Sequence, residues 1–359
     1  MKIAPHLVAD VSGHGFGHVA MTAPVLNELV RRRPDLRITV RSSAPERLLR
    51  EHLHGPFDHL PVAHDFGMAM VHALEIDVPA SFERYRALHS RWSAAVDAAA
   101  GALRELEPTL LLANVPYLSL AAAQEAGVPA VALCCLNWAD IFEHYCGDLP
   151  GTPAIAGQMR SAYASARVFL APDPSMPMPG LHNVRRIGPI GRHGNDRRSE
   201  LCRRLGLDPA TRLVLLSLGG VPFTIDIARW PRLDGAHMLA AMTLEGAHPD
   251  VTDARTLQCS HIDLLASCDA VVTKPGYGTV TEAAVNGTPM LYVTRDGWPE
   301  EPHLVEWLSR TGRCVSLSRT ALVEGTIAEP LAALLDRPRA APIDPDGIAD
   351  AARVLLELL

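Results

Sequence analysis

The first stretch able to do chemistry is Ser12-Gly-His-Gly-Phe-Gly-His18, where an apolar run meets one of helical period. Its glycines tolerate positive φ and let a ligand come close to backbone. A histidine at a helix start facing a ligand suits general-base work. Its imidazole titrates near pH 6.5 and takes a hydroxyl proton at cellular pH, and the positive end of the helix favours the neutral ring. His18 is placed for that role, with His14, Gly15 and Gly17 as neighbours facing the substrate. A plainer reading makes His18 only a cap of the following helix. His14 and His18 stand four apart, a metal spacing on a helix, but the intervening glycines predict loop and no third ligand joins them. The spacing G-x-G-x-G is not the dinucleotide fingerprint, no acid ends the second strand, and no G-x-x-x-x-G-K-[ST] occurs; dehydrogenase and P-loop chemistry are disfavoured.

Two further loops lie in the second half. Ser217-Leu-Gly219-Gly220 ends a predicted strand in a glycine pair, a form common beside phosphates. The run from Asp269 to Pro289, DAVVTKPGYGTVTEAAVNGTP, is more specific: a strand, a loop with Lys274, Gly276 and Gly278, and a helix opening at Thr279. Unpaired N–H groups and the dipole make such a helix start an anion site. Lys274 adds a cation; it and Lys2 are the only lysines among 33 basic residues. Glu282 has two compatible readings, the acid of a Thr279-x-x-Glu282 capping box and an acceptor for two ribose hydroxyls.

The elements around these loops alternate strand and helix, which predicts βαβ units and a mostly parallel sheet. Strands are expected at Val8–Val11, Ile38–Val40, Leu110–Ala113 and Ala130–Leu133, and helices at Ala20–Arg33, Ser119–Ala126 and, as one piece or two, Ser81–Leu106. Residues 171–196, rich in Pro and Gly and without period, read as a linker. Beyond it the alternation restarts: helix Arg198–Leu205, strands at Leu213–Leu218, Met238–Met242, Ala270–Thr273, Met290–Val293 and Cys314–Leu317, and a helical tail Gly347–Leu359. The fold class is α/β, two doubly wound Rossmann-like halves facing across a cleft, with ligands at the carboxyl ends of the strands. With 359 residues the chain has length for two domains, and 48 % apolar content is ample for their cores. A net charge of −7 disfavours nucleic acid as partner. Seven cysteines without a C-x-x-C pair read as reduced thiols of a cytoplasmic protein. The N-terminus does not read as a signal peptide, and the longest apolar stretch, Leu110–Leu136, is broken by Asn114, Pro116, Gln124, Glu125 and Pro129, so no membrane segment is expected.

Taken together, the GHGFGH opening, the LGG turn, TKPGYGTVTEAAVNGTPM and the following RDGWPEEPH resemble the glycosyltransferase-like N-terminal domain of plant L-arabinokinases and its bacterial relatives. More distantly they are similar to GT-B glycosyltransferases such as the peptidoglycan N-acetylglucosaminyltransferase and macrolide glycosyltransferases. The resemblance runs from about residue 6 to about 320. It implies a GT-B fold: an acceptor-binding domain over 1–185, a nucleotide-sugar-binding domain over 186–340, and a C-terminal helix, 341–359, returning to the first. By match His18 is the catalytic base, Glu282 the ribose-binding acid, Gly278 and Thr279 the diphosphate-binding helix start, and Glu300 and Glu301 the pair near the donor sugar. Val221 stands where arabinokinase-like domains carry Gln, and Glu-Glu where Asp-Gln is common, so the donor stays open. The resemblance is to the glycosyltransferase-like domain and does not imply arabinose phosphorylation.

The expected activity is transfer of a hexosyl or related sugar from a UDP- or dTDP-linked donor to a small-molecule or glycan hydroxyl. Asp140 or another carboxylate would orient His18, and neither metal nor cofactor beyond the donor is called for. Residues 57–92, with Phe57, Phe66, Met68, Met70, Tyr85 and Trp92, are the expected acceptor wall. A homodimer is allowed. The rival readings are a catalytically silent nucleotide-sugar-binding protein and a nucleotide-sugar epimerase of the same fold.

Overall fold

A computed structural model describes residues 4–72, 74–219, 224–295, 297–336 and 340–359, and the chain divides into two compact units. Unit 1 comprises residues 1–71, 76–190 and 346–359; unit 2 comprises 72–75 and 191–345.

Unit 1 is built on a parallel sheet of β1 (His6–Val11), β2 (Arg37–Arg41), β3 (Asp58–Leu60), β6 (Leu110–Asn114), β7 (Ala130–Leu133), β8 (Val168–Pro172) and β9 (Val184–Ile187). Short strands β4 (Met70–His72) and β5 (Glu75–Ile76) form a separate pair. The sheet order is β3-β2-β1-β6-β7-β8-β9. Its central strands are continuous apolar runs because helices cover both faces; Leu7, Val8, Ala9, Leu110, Leu111 and Leu112 are fully buried. The order reverses direction beside β1, so a crevice opens past the carboxyl ends of β1 and β6. Val184–Ile187 pairs in parallel with β8, so the expected linker is partly sheet; this short edge strand is too polar, Val-Arg-Arg-Ile, to show a strand pattern. The predicted long helix is two, Val78–His89 and Trp92–Arg104. The tail helix Gly347–Leu358 packs on the helix Gly17–Arg32. Its docking leaves no room at the first residue, since a Cβ on Gly347 would lie 1.9 Å from the Gly188 carbonyl oxygen.

Unit 2 repeats the plan with β10 (Arg212–Ser217), β12 (Ala236–Ala240), β14 (Val251–Asp253), β15 (Ala270–Thr273), β16 (Met290–Val293) and β17 (Cys314–Leu317). The order is β14-β12-β10-β15-β16-β17, all parallel, with β11 (Ile225–Asp226) and β13 (Leu244–Glu245) as a side pair. Here the reversal falls between β10 and β15. Leu74, from the excursion of residues 72–75, is buried in this unit's core with Val214, Val272, Leu291 and Trp230.

Candidate active site

In unit 1 the chain leaves β1 through Ser12, whose N–H donates to the Asn114 carbonyl at 2.7 Å, tying the opening loop to the end of β6. Gly15 takes φ +77°, and the helix begins at Gly17 with Phe16 as an N-cap that offers no side chain to it. His18 is thus the helix's second residue, 8 % exposed. Its Nδ1 lies 2.8 Å from Asn114 Oδ1, and Asn114 Nδ2 donates to Thr22 Oγ1 at 2.8 Å. The second bond turns the amide so that its oxygen faces His18, and Nδ1 is therefore the protonated donor. Among the described residues Nε2 has no hydrogen-bond partner. Asn114, an amide, occupies the orienting role expected of a carboxylate. Asp140 does not reach it: Asp140 accepts from Asn137 Nδ2 and pairs with Arg160, both at 2.8 Å.

Around this core stand Cys134, its sulfur 4.0 Å from Nδ1, and the buried Trp138, whose ring centroid lies 5.9 Å from that of His18 and 5.3 Å from that of His14. Trp138 Nε1 donates to Asp65 Oδ2 at 2.8 Å. Gly67, at φ +63°, lies against His14: a Cβ there would sit 2.5 Å from the His14 ring. Burial opposes charge on His18, but Cys134, Asn114 and Asp65 outweigh it and push its pKa up to about 9. The expectation of a neutral imidazole near 6.5 is therefore corrected, because the partners brought in by the fold prevail over burial and the helix end. The expected acceptor wall is broken up as well. Met68 and Tyr85 are core, Phe57 lies under Arg50, and Trp92 stacks on His89.

In unit 2, Gly219 follows β10 at φ +82°, where an added Cβ would come within 3.4 Å of Lys274 Cε. Gly220 and Val221 lie outside the described residues. After β15 the chain passes through Lys274 and Pro275 to Gly276, which is the N-cap of the helix Tyr277–Asn286 and gives no side-chain cap. The helix starts two residues earlier than expected. Thr279 therefore sits in the first turn, beside Gly278, and no Thr279–Glu282 capping box forms. Glu282 is 5 % exposed and accepts from Arg192 Nε at 2.7 Å. Burial raises its carboxyl above the usual range, against the pull of Arg192.

Glu300 and Glu301 are brought together by Arg295. The Arg295 N–H and Nε donate to Glu301 Oε2 at 3.0 and 3.1 Å, and its guanidinium lies 4.8 Å from the Trp298 ring centroid and also bonds the Pro275 carbonyl. Trp298 Nε1 donates to Glu300 Oε2 at 2.8 Å. Burial, joined by the nearby Arg295 charge, lowers Lys274 to about 8 despite Glu300 and Glu301. Among the described residues Lys274's ammonium has no hydrogen-bond or ion-pair partner, and no group of three or more His, Cys, Asp or Glu is placed to hold a metal ion. The chain's D-x-D triplet, Asp344-Pro345-Asp346, precedes the tail helix, and its Asp346 carboxylate packs against Gly188.

Sequence reading missed Asn114, Cys134, Asp65, Trp138, Arg192 and Arg295. Asn114 carried a local signal, a polar residue closing the apolar strand Leu110–Ala113, and Arg295 stands in the RDGWPEEPH run itself, six residues before Glu301. The others arrive from elements distant in sequence.

No family model matches the chain. It is 26 % identical to an L-arabinokinase of Arabidopsis thaliana over 322 residues, 88 % of this chain, yet it spans only 30 % of that protein's length. An uncharacterised glycosyltransferase of Methanopyrus kandleri is 24 % identical over 86 % of this chain and 92 % of its own. Among solved structures, the kitacinnamycin glycosyltransferase superposes with a TM-score of 0.61 at 17 % identity, covering 99 % of both chains. The glycosyltransferase VinC in complex with dTDP gives 0.55 at 15 %, covering 98 % of this chain and 95 % of its own. A Listeria monocytogenes protein assigned as a UDP-N-acetylglucosamine 2-epimerase gives 0.56 at 13 %, covering 99 % and 95 %. With a doubly wound parallel sheet in each unit and these neighbours over its whole length, the chain has the GT-B glycosyltransferase fold.

Proposed function

We propose that the chain transfers a sugar, hexosyl or related, from a UDP- or dTDP-linked donor to a hydroxyl of a small-molecule or glycan acceptor. The observation that carries this reading is the Thr22–Asn114–His18 chain of hydrogen bonds. It commits Nδ1 to the protein and leaves Nε2 for a substrate. In the reaction the acceptor O–H bond breaks and its proton goes to Nε2. The acceptor oxygen bonds the anomeric carbon, and the bond from that carbon to the diphosphate oxygen breaks, its electron pair leaving with the diphosphate. The growing charge falls to the first-turn N–H groups of the helix at Gly278 and Thr279 and to Lys274. Gly219 and Gly276 admit the nucleotide closely; His14, Gly15 and Gly17 face the acceptor. Glu282 takes ribose hydroxyls through the oxygen that Arg192 leaves, while Glu300 and Glu301, held by Arg295, face the donor sugar. With cationic groups already at the diphosphate, no metal is required.

Incubation with a panel of UDP- and dTDP-sugars and hydroxyl acceptors tests the reading. Transfer, or slow donor hydrolysis, that survives EDTA supports it. Binding without turnover points to a nucleotide-sugar-binding protein, isomerised sugar to an epimerase, and loss with EDTA restored by Mg²⁺ removes the diphosphate assignment.

A further inference from the structure

Trp92, expected in the acceptor wall, instead borders a groove that contains none of the residues assigned to transfer. Its lining joins three helices of unit 1. Trp92 opens the helix Trp92–Arg104, Ala121 and Gln124 stand on Tyr117–Ala126, and Gly157, Gln158 and Ser161 on Thr152–Ala164. Spacings of three and four place the lining residues of each helix on one face, turned to the same space. The groove has a volume of about 390 Å³, within the range of sites that hold small organic ligands.

The polar and aromatic groups of this groove are held from beneath. His89 stacks on Trp92 with ring centroids 4.9 Å apart and planes 6° from parallel, and the buried Tyr117 stacks at 5.6 Å and 24°. Gln158 Oε1 only accepts, so His89 Nδ1 donates to it at 2.7 Å, and His89 Nε2 accepts from the Tyr117 hydroxyl at 2.9 Å. Burial lowers the His89 pKa against the pull of Gln158, in keeping with a single proton on the ring. The chain of bonds occupies the Gln158 carbonyl and leaves its amide N–H groups as donors. Among the described residues, the Gln124 amide and Trp92 Nε1 have no hydrogen-bond partner. Ser161 Oγ donates to the Gly157 carbonyl at 2.9 Å and keeps its capacity to accept. Gly157 lies inside its helix, where glycine costs stability, yet nothing stands within 4 Å of where its Cβ would be. A larger residue there fits the fold and fills the groove.

No lining residue is ionisable, so a phosphate, a carboxylate or a metal ion finds no counter-charge here. The indole gives the C–H side of a sugar ring a flat apolar surface to lie on. Amides and a hydroxyl match sugar hydroxyls, which both donate and accept. A flat aromatic compound would cover the same amides without bonding them, at a cost in free energy. We infer that this groove is a non-catalytic binding site for a neutral saccharide, whose ring packs on Trp92 while its hydroxyls bond Gln124, Gln158 and Ser161. The site goes beyond the transfer reaction proposed above and does not rest on it.

The test reads the Trp92 indole N–H by NMR, assigned with Trp92→Phe, and needs neither donor nor acceptor. The probes are glucose, galactose, arabinose, xylose and N-acetylglucosamine, with neutral trisaccharides of each. At least one should shift the Trp92 signal saturably, with half-saturation at roughly 1–10 mM, the scale for a small neutral ligand on an open site. Gly157→Leu fills the groove and should abolish that shift while its melting temperature stays at or above the parent's. Gln124→Met removes an amide that holds nothing in the fold and should weaken the sugar by roughly 2–10-fold, the range for one hydrogen bond. No shift with any sugar, or a shift that survives Gly157→Leu, overturns the inference. Should Gly157→Leu not fold, an unchanged affinity in Gln124→Met does the same. A response to phenol or benzyl alcohol in place of the sugars makes the groove an aromatic site, and a signal that moves with protein concentration alone makes it a contact between copies. Either result overturns the saccharide. Sugar binding that persists in a protein without transferase activity would sink the proposed function and leave this site standing.

Discussion

In the proposed reaction His18 and Lys274 carry the chemistry, and the fold moves both from their ordinary titrations. General-base catalysis is worth roughly 10²–10⁴-fold, so His18→Ala should lower transfer by that order while donor affinity changes little. His14→Ala, which removes a ring packed on Trp138 and under Gly67, should cost less. Because the His18 pKa is raised to about 9, the base form is a minority at neutrality, and kcat/KM should climb with pH until that region. A plateau already reached at pH 7 would remove His18 as the titrating base. Lys274 has the opposite displacement. At about 8 it is partly neutral in the free protein near pH 8, and a bound diphosphate would restore its proton. UDP or dTDP affinity should therefore fall as pH rises from 7 to 9, with proton uptake at pH 8 visible as a buffer-dependent binding enthalpy. Lys274→Met should flatten that dependence. An unchanged pH profile in this variant would place the diphosphate elsewhere.

At the scale of elements, the helix Tyr277–Asn286 has two duties. Its amino end is the proposed anion site, and its second turn supplies Glu282 to Arg192. Glu282→Ala should therefore do two things: weaken nucleotide binding and destabilise unit 2, each by roughly 1–3 kcal/mol, the scale of a charge-assisted hydrogen bond lost from a buried site. Glu282→Gln keeps an oxygen for Arg192 and should spare more of the stability than of the affinity. Denaturant melts and calorimetry on the two variants separate these duties. Equal loss of both in the two variants would reduce Glu282 to a structural ion pair. Arg295 is a comparable joint, holding the Lys274–Gly276 loop through Pro275 and the Glu300–Glu301 pair at once.

At the scale of the whole molecule, neither unit is a continuous segment. Unit 1 recovers its last helix from the end of the chain, and unit 2 takes residues 72–75 from early in it. The tail helix covers the helix Gly17–Arg32, which carries His18, burying Ala351, Ala352 and Leu355. Gly347→Val would place side-chain atoms where the Gly188 carbonyl already stands. It should destabilise unit 1 by about 1–3 kcal/mol or more, the usual cost of overpacking. Thermal melts that match the parent would show that the tail contact adds nothing to stability.

What could be read from the chain alone followed local rules. Apolar runs bounded by glycine loops placed β15 at Ala270–Thr273 and β16 at Met290–Val293 as found, and Arg198–Leu205 was legible as a helix. Those runs are buried on both faces and are bounded by turn residues, so their pattern is sharp. Val184–Ile187 was not legible, because a four-residue edge strand with two exposed arginines has no apolar pattern. The same division runs through the candidate site. His18, Lys274 and the glycines announce themselves by type and by position between strand and helix. The environment of each does not: Asn114 stands 96 residues from His18, and Arg192 stands 90 from Glu282. Which partner reaches a buried group is set by how strands order in the sheet. Local sequence therefore chose the candidate residues, and only the packed tertiary structure decided their hydrogen bonds and the direction in which their proton affinities move.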